Sequence, residues 1–188
     1  RRGVNMVYIV ENNGVYGLTK GQFSATADRG SKSKRGFINT DNSIDLVAMA
    51  LQLGASFVAR SFSGDKHQLV PIIKAAIAHK GAAFIDVISP CVAFNNHAGS
   101  TKSFDFVREH NEAVNRLDFI SSRMPIEVKY DPGTVEVVEQ HDGSRLALRK
   151  LAADYELHDR TAALGFLQHH AAKGQIVTGL LYVEQESE

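Results

Sequence analysis

Three short apolar segments alternate with helical segments in the first half of the chain, and this alternation restricts the possible folds more than any other feature. The first segment, Val4–Val10, contains several β-branched residues and predicts a buried, central strand. Phe57–Arg60 and Ala82–Ile88 predict two further strands. Strands that alternate with helices are joined by right-handed crossovers, so we expect an α/β fold with a largely parallel sheet and flanking helices.

Two helices are predicted between these strands. The first is expected over Ile44–Leu53, with Asp41 or Ser43 as its N-cap, because short polar side chains accept hydrogen bonds from the first free backbone N–H groups. The second is expected to be capped by Asp65. Proline is tolerated only in a first turn, so Pro71 predicts that the regular part of this helix begins just before it.

The second half of the chain is more polar and more mixed in pattern. A break near Ser121–Pro125 predicts a first domain over residues 1–122 and a small α+β extension over residues 123–188. The elements predicted beyond the third strand are a helix over Phe104–Val114, a hairpin formed by Val135–Gln140 and Arg145–Arg149, a helix over Thr161–Lys173 capped by Asp159, and a strand over Ile176–Glu184.

Composition narrows the functional class. Lysine plus arginine equals aspartate plus glutamate at 21 each, so there is no electrostatic case for binding nucleic acid or an anionic membrane. No apolar run approaches the roughly 18 residues that cross a bilayer, and we expect no membrane contact. The single cysteine excludes an internal disulfide framework and favours a reducing, cytoplasmic setting.

A motif follows the first predicted strand. Residues 11–22 read ENNGVYGLTKGQ, which places two asparagines and a glycine directly after the strand. Magnesium in cofactor sites ties phosphates to a few protein oxygens, and an asparagine oxygen supplies such a ligand without adding charge. Glycine lets the backbone turn sharply and approach a phosphate closely. On composition alone, an Asn-Gly turn without any metal is the more frequent explanation.

Cys91 follows the third predicted strand in the run Asp86–Cys91, which reads DVISPC. A lone cysteine in such a place is more often a small buried apolar residue than a ligand. Ligands of open parallel sheets bind beyond the carboxyl ends of the strands. Asn13 and Cys91 both lie just past such ends, so we expect them to face one site.

Together, the run from Glu11 to Gln22 and the segment Ser89-Pro90-Cys91 resemble the β subunit of 2-oxoacid:ferredoxin oxidoreductases. The resemblance implies a thiamine diphosphate-binding fold with Mg²⁺ and a 4Fe-4S cluster, for which thiolates are the usual ligands. The roles implied are magnesium ligation by the Asn13 side chain and the Val15 carbonyl, diphosphate contacts by Gly17 and Leu18, proximity of Leu18 and Lys20 to the 2-oxoacid with Lys20 attracting its carboxylate, and ligation of one cluster iron by Cys91.

The same resemblance implies the reaction and its partners. It implies oxidative decarboxylation of a 2-oxoacid, with 2-oxoglutarate favoured, and transfer of the acyl group to coenzyme A while ferredoxin is reduced. It also implies an α subunit that completes the site. The family's Gly-Asp-Gly segment and its other three cysteines precede the motif, and nothing here corresponds to them. We therefore expect the C-terminal portion of a β subunit.

Two other functions are left open by the residues. A non-redox thiamine diphosphate enzyme component would use the Asn-Gly motif but would not need Cys91. A non-catalytic interaction subunit would keep the fold and have lost the cofactor, which the absent upstream motif allows. Lys32, Lys34 and Arg35 form a small basic cluster that suits a phosphate of coenzyme A, although a solvated loop is the more common explanation.

Overall fold

The structure is a computed structural model that describes residues 4–16, 22–33, 35–120, 135–139, 144–150 and 155–184. A five-stranded mixed sheet with flanking helices forms its centre. In chain order the elements are β1 (Met6–Asn12), β2 (Val15–Tyr16), β3 (Gln22–Phe23), α1 (Leu46–Gln52), β4 (Phe57–Phe62), α2 (Lys66–Ala78), β5 (Ala82–Ile88), α3 (Phe104–His110), β6 (Asn111–Ala113), β7 (Asn115–Ile120), β8 (Val135–Glu139), β9 (Arg145–Lys150), α4 (Arg160–Ala172) and β10 (Ile176–Val183).

The strand order of the central sheet is β1-β5-β4-β10-β6. Three of its four pairings are parallel, and only β10 runs antiparallel to its neighbour β4. The parallel register sets Val10 beside Asp86 and Asp86 beside Arg60. The prediction of an α/β fold with a mostly parallel sheet is therefore confirmed. A two-stranded ribbon (β2-β3) and a three-stranded antiparallel sheet (β7-β9-β8) complete the strands described.

The position of β1 differs from the prediction. Val4–Val10 was expected to be a buried central strand, but β1 lies at the edge of the sheet and pairs with β5 alone. Tyr8 is 56% exposed, and Met6 and Ile9 are also exposed. Apolar content and β-branching describe a segment's suitability for a sheet, but they do not say how many neighbours it will have.

Apolar residues from both halves of the chain form the main core. The strand β4 is buried along its whole length, and Phe57 is fully inaccessible to solvent. The helices α1, α2 and α4 pack their apolar faces against the sheet. The largest fully buried side chains are Phe57, Leu51, Ile72, Ile85, Leu180, Leu181, Val47, Val58, Val107, Val114 and Val177.

The starts of helices α1 and α2 are set by capping aspartates, and the position of Pro71 does not set the start of α2. Asp45, and not Asp41 or Ser43, caps α1, because its side chain accepts hydrogen bonds from the N–H groups of the next turn. Asp65 caps α2 as predicted. The helix begins immediately after this cap, so Pro71 lies inside it, and the predicted later start is wrong.

In the second half, the helix predicted to extend to Val114 ends at His110. The next residues form β6, which pairs in parallel with β10, so strand pairing ends the helix early. The predicted hairpin is confirmed as the antiparallel pair β8 and β9, while its turn lies outside the described residues. The helix α4 is capped by Asp159 and is followed by Gly174 at φ 72°, close to the predicted bounds.

Residues 155–184 share the core of the central sheet. The hydroxyl of Tyr155 donates to the carbonyl of Leu181 at 2.5 Å, and the side chain of Gln68 in α2 donates to Thr178 in β10 at 3.1 Å. Burial raises the pKa of Tyr155, so this hydroxyl remains a donor. The boundary predicted near residue 122 falls outside the described residues and stays a prediction. Of the helices described, none is both long and apolar enough to cross a bilayer.

Candidate functional site

Two loops meet at the carboxyl edge of the central sheet. One follows β1 and begins at Asn13, and the other follows β5 and contains Cys91. The N–H of Ser89 donates to the carbonyl of Asn12 at 3.0 Å, which continues the β1–β5 ladder into the loops. This backbone hydrogen bond confirms the prediction that the residues following these two strands lie close together.

The loop after β1 is a tight, hydrogen-bonded turn. The Oδ1 atom of Asn13 accepts from the N–H of Val15 at 2.9 Å, which is the usual contact of an asparagine-initiated turn. Asn12 is buried, and its Oδ1 accepts from the Thr26 hydroxyl at 2.7 Å. Gly14 has a φ of 70°, a conformation that side-chain-bearing residues seldom adopt. These contacts hold the turn that carries the predicted magnesium ligands.

Asn95 joins the two loops. Its side-chain Nδ2 donates to the carbonyl of Asn13 at 2.7 Å, and its backbone N–H donates to the carbonyl of Cys91 at 2.8 Å. Asn95 is only 7% exposed, so both contacts are largely shielded from water. The side chain of one residue therefore connects the turn after β1 to the loop that carries the single cysteine.

Close packing surrounds Gly14. A Cβ atom at this position would lie 2.6 Å from Nδ2 of Asn95 and 2.9 Å from Cδ of Lys102. Real Cβ atoms do not approach other heavy atoms so closely, so both the conformation and the space require glycine here. Lys102 and Asn95 thus pack directly against the backbone of the turn.

The ammonium group of Lys102 is held by Asp28. Lys102 is 7% exposed, and its Nζ lies 3.1 Å from Oδ1 of Asp28. Burial raises the pKa of Asp28, but hydrogen bonds from Thr101 and the charge of Lys102 outweigh it, so this pKa lies below its usual value. The ion pair connects the loop that precedes α1 to the segment just before α3.

A second charged cluster lies in the sheet below the loops. Arg60 is buried and donates to Asp45 at 2.6 Å and to Asp86 at 2.9 Å. Burial lowers the pKa of Arg60, but the two carboxylates outweigh it and raise this pKa above its usual value. Oδ1 of Asp86 is buried and has no hydrogen-bond partner among the described residues. Both clusters line a cavity of about 330 Å³ that also reaches Asn12.

The structure places only some of the predicted site residues. Asn13, Val15 and Cys91 lie at the junction of the two loops, whereas Gly17, Leu18 and Lys20 lie outside the described residues. Sequence reasoning did not identify Asn95, Lys102, Asp28 or the Arg60 cluster. The sequence does contain an indication of the Arg60 cluster: Arg60 and Asp86 are opposite charges within two apolar strands, a pattern that predicts a buried ion pair.

The turn fits the magnesium that the motif implies. An amide oxygen has two lone pairs, and the N–H of Val15 uses one of those on Asn13 Oδ1, so the other remains for a cation. Among the described residues no group of three or more His, Cys, Asp or Glu side chains is arranged for a metal. Such a site therefore depends on the amide, a backbone carbonyl and oxygens of the diphosphate.

The fit to an iron–sulfur cluster is incomplete within this chain. Cys91 is half-buried and carries a free thiol, and the carbonyl of Cys91 accepts from the N–H groups of Phe94 and Asn95. A 4Fe-4S cluster takes four thiolates, and the chain contains one cysteine. Cys91 can supply one ligand, and the remaining three must come from elsewhere.

Comparison with known proteins identifies the type of domain. Residues 1–87 match the family described as thiamine pyrophosphate enzyme, C-terminal TPP binding domain. A 2-oxoacid:ferredoxin oxidoreductase subunit beta from Sulfolobus sp. is 33% identical over 184 residues, which are 92% of this chain and 58% of that protein. A protein of the same description from Saccharolobus solfataricus is 50% identical over 99 residues, or 51% of this chain and 32% of that protein.

A solved structure agrees with the sequence relatives. It is similar to this chain with a TM-score of 0.70 and 25% identity, and the match covers 99% of this chain and 50% of the solved chain. It is described as 2-oxoglutarate:ferredoxin oxidoreductase from Magnetococcus marinus with 2-oxoglutarate, coenzyme A and succinyl-CoA bound. The chain spans less than two thirds of the length of each of these proteins.

Proposed function

Because this chain belongs to the β subunits of 2-oxoacid:ferredoxin oxidoreductases, we propose that it forms the cofactor-holding part of such an enzyme. The reaction proposed is oxidative decarboxylation of a 2-oxoacid with coenzyme A, which yields an acyl-CoA and CO2 and reduces ferredoxin. The observation that carries the proposal is the contact between the Asn13 turn and the Cys91 loop through Asn95. A thiamine diphosphate enzyme without electron transfer would not need a cysteine in the loop that contacts this turn.

Thiamine diphosphate, when bound, supplies the chemistry that stabilises the carbanion left by loss of CO2. The chain's own part is to anchor and orient. Oδ1 of Asn13 and the carbonyl of Val15 are proposed to hold the Mg²⁺ that fixes the diphosphate, with Gly17 and Leu18 in contact with the phosphates. A fixed diphosphate keeps the reactive ring in one place relative to the substrate, which lowers the entropic cost of reaching the transition state.

Lys20 is proposed as the residue that attracts the substrate. A lysine ammonium is a compact charge that suits a carboxylate, and a 2-oxoacid presents at least one. For 2-oxoglutarate, which presents two, the support is the solved structure that holds this compound. The two relatives described above are named only for 2-oxoacids, so the choice of 2-oxoglutarate over pyruvate is a prediction of its own.

Cys91 is proposed to contribute one of four thiolates to a 4Fe-4S cluster that passes electrons to ferredoxin. The other thiolates, and an α subunit that completes the active site, are proposed to come from outside these residues. This proposal is supported by the position of Cys91, which is half-buried in a loop whose Asn95 hydrogen-bonds to the turn after β1.

The test is an assay of ferredoxin reduction by the intact native enzyme, with 2-oxoglutarate or pyruvate as substrate and coenzyme A present. We expect Cys91→Ser to lose iron and ferredoxin reduction while it still binds thiamine diphosphate. Val92→Ser is the matched control, because Val92 is the next residue and is 79% exposed. We expect Lys20→Met to raise KM for the 2-oxoacid in the same assay.

The possible outcomes separate the alternatives. Consumption of the 2-oxoacid without any reduction of ferredoxin by the unaltered enzyme would indicate a non-redox thiamine diphosphate enzyme. Full iron content and full ferredoxin reduction in Cys91→Ser would overturn the role proposed for Cys91. No binding of thiamine diphosphate by the unaltered protein would indicate a non-catalytic subunit. A higher kcat/KM for pyruvate than for 2-oxoglutarate would overturn the substrate preference alone and leave the reaction class intact.

A further inference from the structure

Asn95 contacts two loops, one through its side chain and the other through its backbone. Its side chain contacts the cofactor turn, since Nδ2 lies 2.7 Å from the carbonyl oxygen of Asn13. Its backbone contacts the cysteine loop, since its N–H lies 2.8 Å from the carbonyl oxygen of Cys91. Replacing the side chain therefore removes the first contact and leaves the second.

The contact with Asn13 determines the orientation of a peptide plane. The carbonyl of Asn13 belongs to the peptide that joins Asn13 to Gly14, and a peptide unit rotates as a rigid plane. Gly14, at φ 70°, has wide conformational freedom, so its own backbone preference does not hold this plane. The hydrogen bond from Asn95 supplies that restraint.

The packing shows that this arrangement depends on the identity of residue 14. The Nδ2 atom of Asn95 is the nearest atom to a Cβ built on Gly14, at 2.6 Å. Only a glycine allows the amide to reach the carbonyl of the preceding residue. Gly14 and Asn95 are 81 positions apart in the sequence. The hydrogen bond from Asn95 to Asn13 nevertheless depends on the absence of a side chain at Gly14.

We propose that Asn95 is a positioning residue for magnesium: its side-chain amide holds the Asn13–Val15 turn so that the Asn13 side chain and the Val15 carbonyl face the same cation. This inference rests on the proposed function, because it takes those two groups as the magnesium ligands. Asn95 does not touch the metal itself. Its effect is to reduce the number of conformations that the turn samples before the cation binds, which is preorganisation.

The experiment compares Asn95→Ala with Asn96→Ala in the intact native enzyme. Asn96 is the adjacent asparagine and is exposed, and its Oδ1 accepts from the N–H of Phe104 at the start of α3. Binding of thiamine diphosphate is followed by calorimetry at increasing Mg²⁺ concentration. Iron content and melting temperature are measured on the same samples.

We expect Asn95→Ala to raise the Mg²⁺ concentration for half-saturation about tenfold, the effect of losing one buried hydrogen bond. Asn96→Ala should change it less than about twofold. Iron content should stay at the level of the unaltered protein, because the backbone contact to Cys91 remains. Asn95→Asp keeps the size and backbone of the residue but cannot donate when ionised, so we expect a shift at least as large.

The outcomes distinguish this inference from the proposed function. If Asn95→Ala lowers the melting temperature but has the same Mg²⁺ dependence as Asn96→Ala, Asn95 is only structural and the inference is overturned. Should Asn95→Ala fail to fold, the same comparison is made with Asn95→Asp. If the unaltered protein binds no thiamine diphosphate at any Mg²⁺ concentration, the proposed function fails, and the inference fails with it.

Discussion

The strands β1 and β4 both pair in parallel with β5, yet their surroundings are opposite. All six residues of β4 are buried, whereas most of β1 is exposed or half-exposed. The strand β4 lies between β5 and β10, while β1 has a neighbour on one side only. The candidate site follows β1, so the turn proposed to hold the cofactor comes after the less buried of the two strands.

Different interactions stabilise the two regions: one kind sets the stability of the fold, and the other sets the geometry of the candidate site. The interior around β4 is stabilised by apolar burial, which is strong but has no preferred direction. The turn after β1 is held by directed hydrogen bonds to Asn13, from Asn95 and from Val15. It is also crowded at Gly14 by Lys102, whose ammonium group is held by Asp28. Hydrogen bonds add little net stability each, but they specify orientation. Changes in the two regions should therefore affect different observables.

The largest effect is expected from truncation in the buried strand. Phe57→Ala should lower the free energy of unfolding by about 3–5 kcal/mol, because it removes a fully buried ring and leaves a cavity. The matched change in the edge strand, Tyr8→Ala, should cost less than about 1 kcal/mol, since Tyr8 is mostly exposed. Urea unfolding of both variants measures the difference. Equal losses would mean that β1 is covered in the native protein.

An intermediate effect is expected from adding one methyl group to the turn. Gly14→Ala should lower the free energy of unfolding by about 2–4 kcal/mol, from the positive φ and from overlap with Asn95 and Lys102. Gly99→Ala is the control, because Gly99 has a φ of 87° and nothing within 4 Å of the added atom. It should cost about 1–2 kcal/mol. Urea unfolding tests this, and equal costs in the two variants would contradict the crowding.

The smallest effect is expected from acid. The pKa of Asp28 is lowered in the folded protein, so its pairing with Lys102 stabilises the fold fully above the unfolded pKa of about 3.9 and is lost as pH falls through the folded value. Below about pH 5, the melting temperature should therefore fall more steeply for the unaltered protein than for Asp28→Asn. Calorimetric scans from neutral pH to pH 3 measure the slopes. The exposed Asp41→Asn serves as control and should follow the unaltered protein.

Much of the fold could be predicted because it depends on neighbours in sequence. Ala82–Ile88 was predicted with the bounds that β5 has, and the caps at Asp65 and Asp159 were also predicted correctly. Turn and capping preferences act over a few residues, so a single chain reveals them. The resemblance of the Asn13 and Cys91 segments to a known family added the cofactor and the reaction class, which periodicity does not indicate.

The remaining features depend on contacts between distant residues. Sequence alone determined that the chain alternates strands and helices, that Asn13 and Cys91 follow parallel strands, and that the family is one of thiamine diphosphate enzymes. The tertiary structure decided that β1 lies at the edge, that Asp45 and Asp86 share Arg60, and that Asn95 reaches the carbonyl of Asn13. The physical reason is that backbone preference is local, whereas burial and hydrogen-bond partners depend on which segments become neighbours in space.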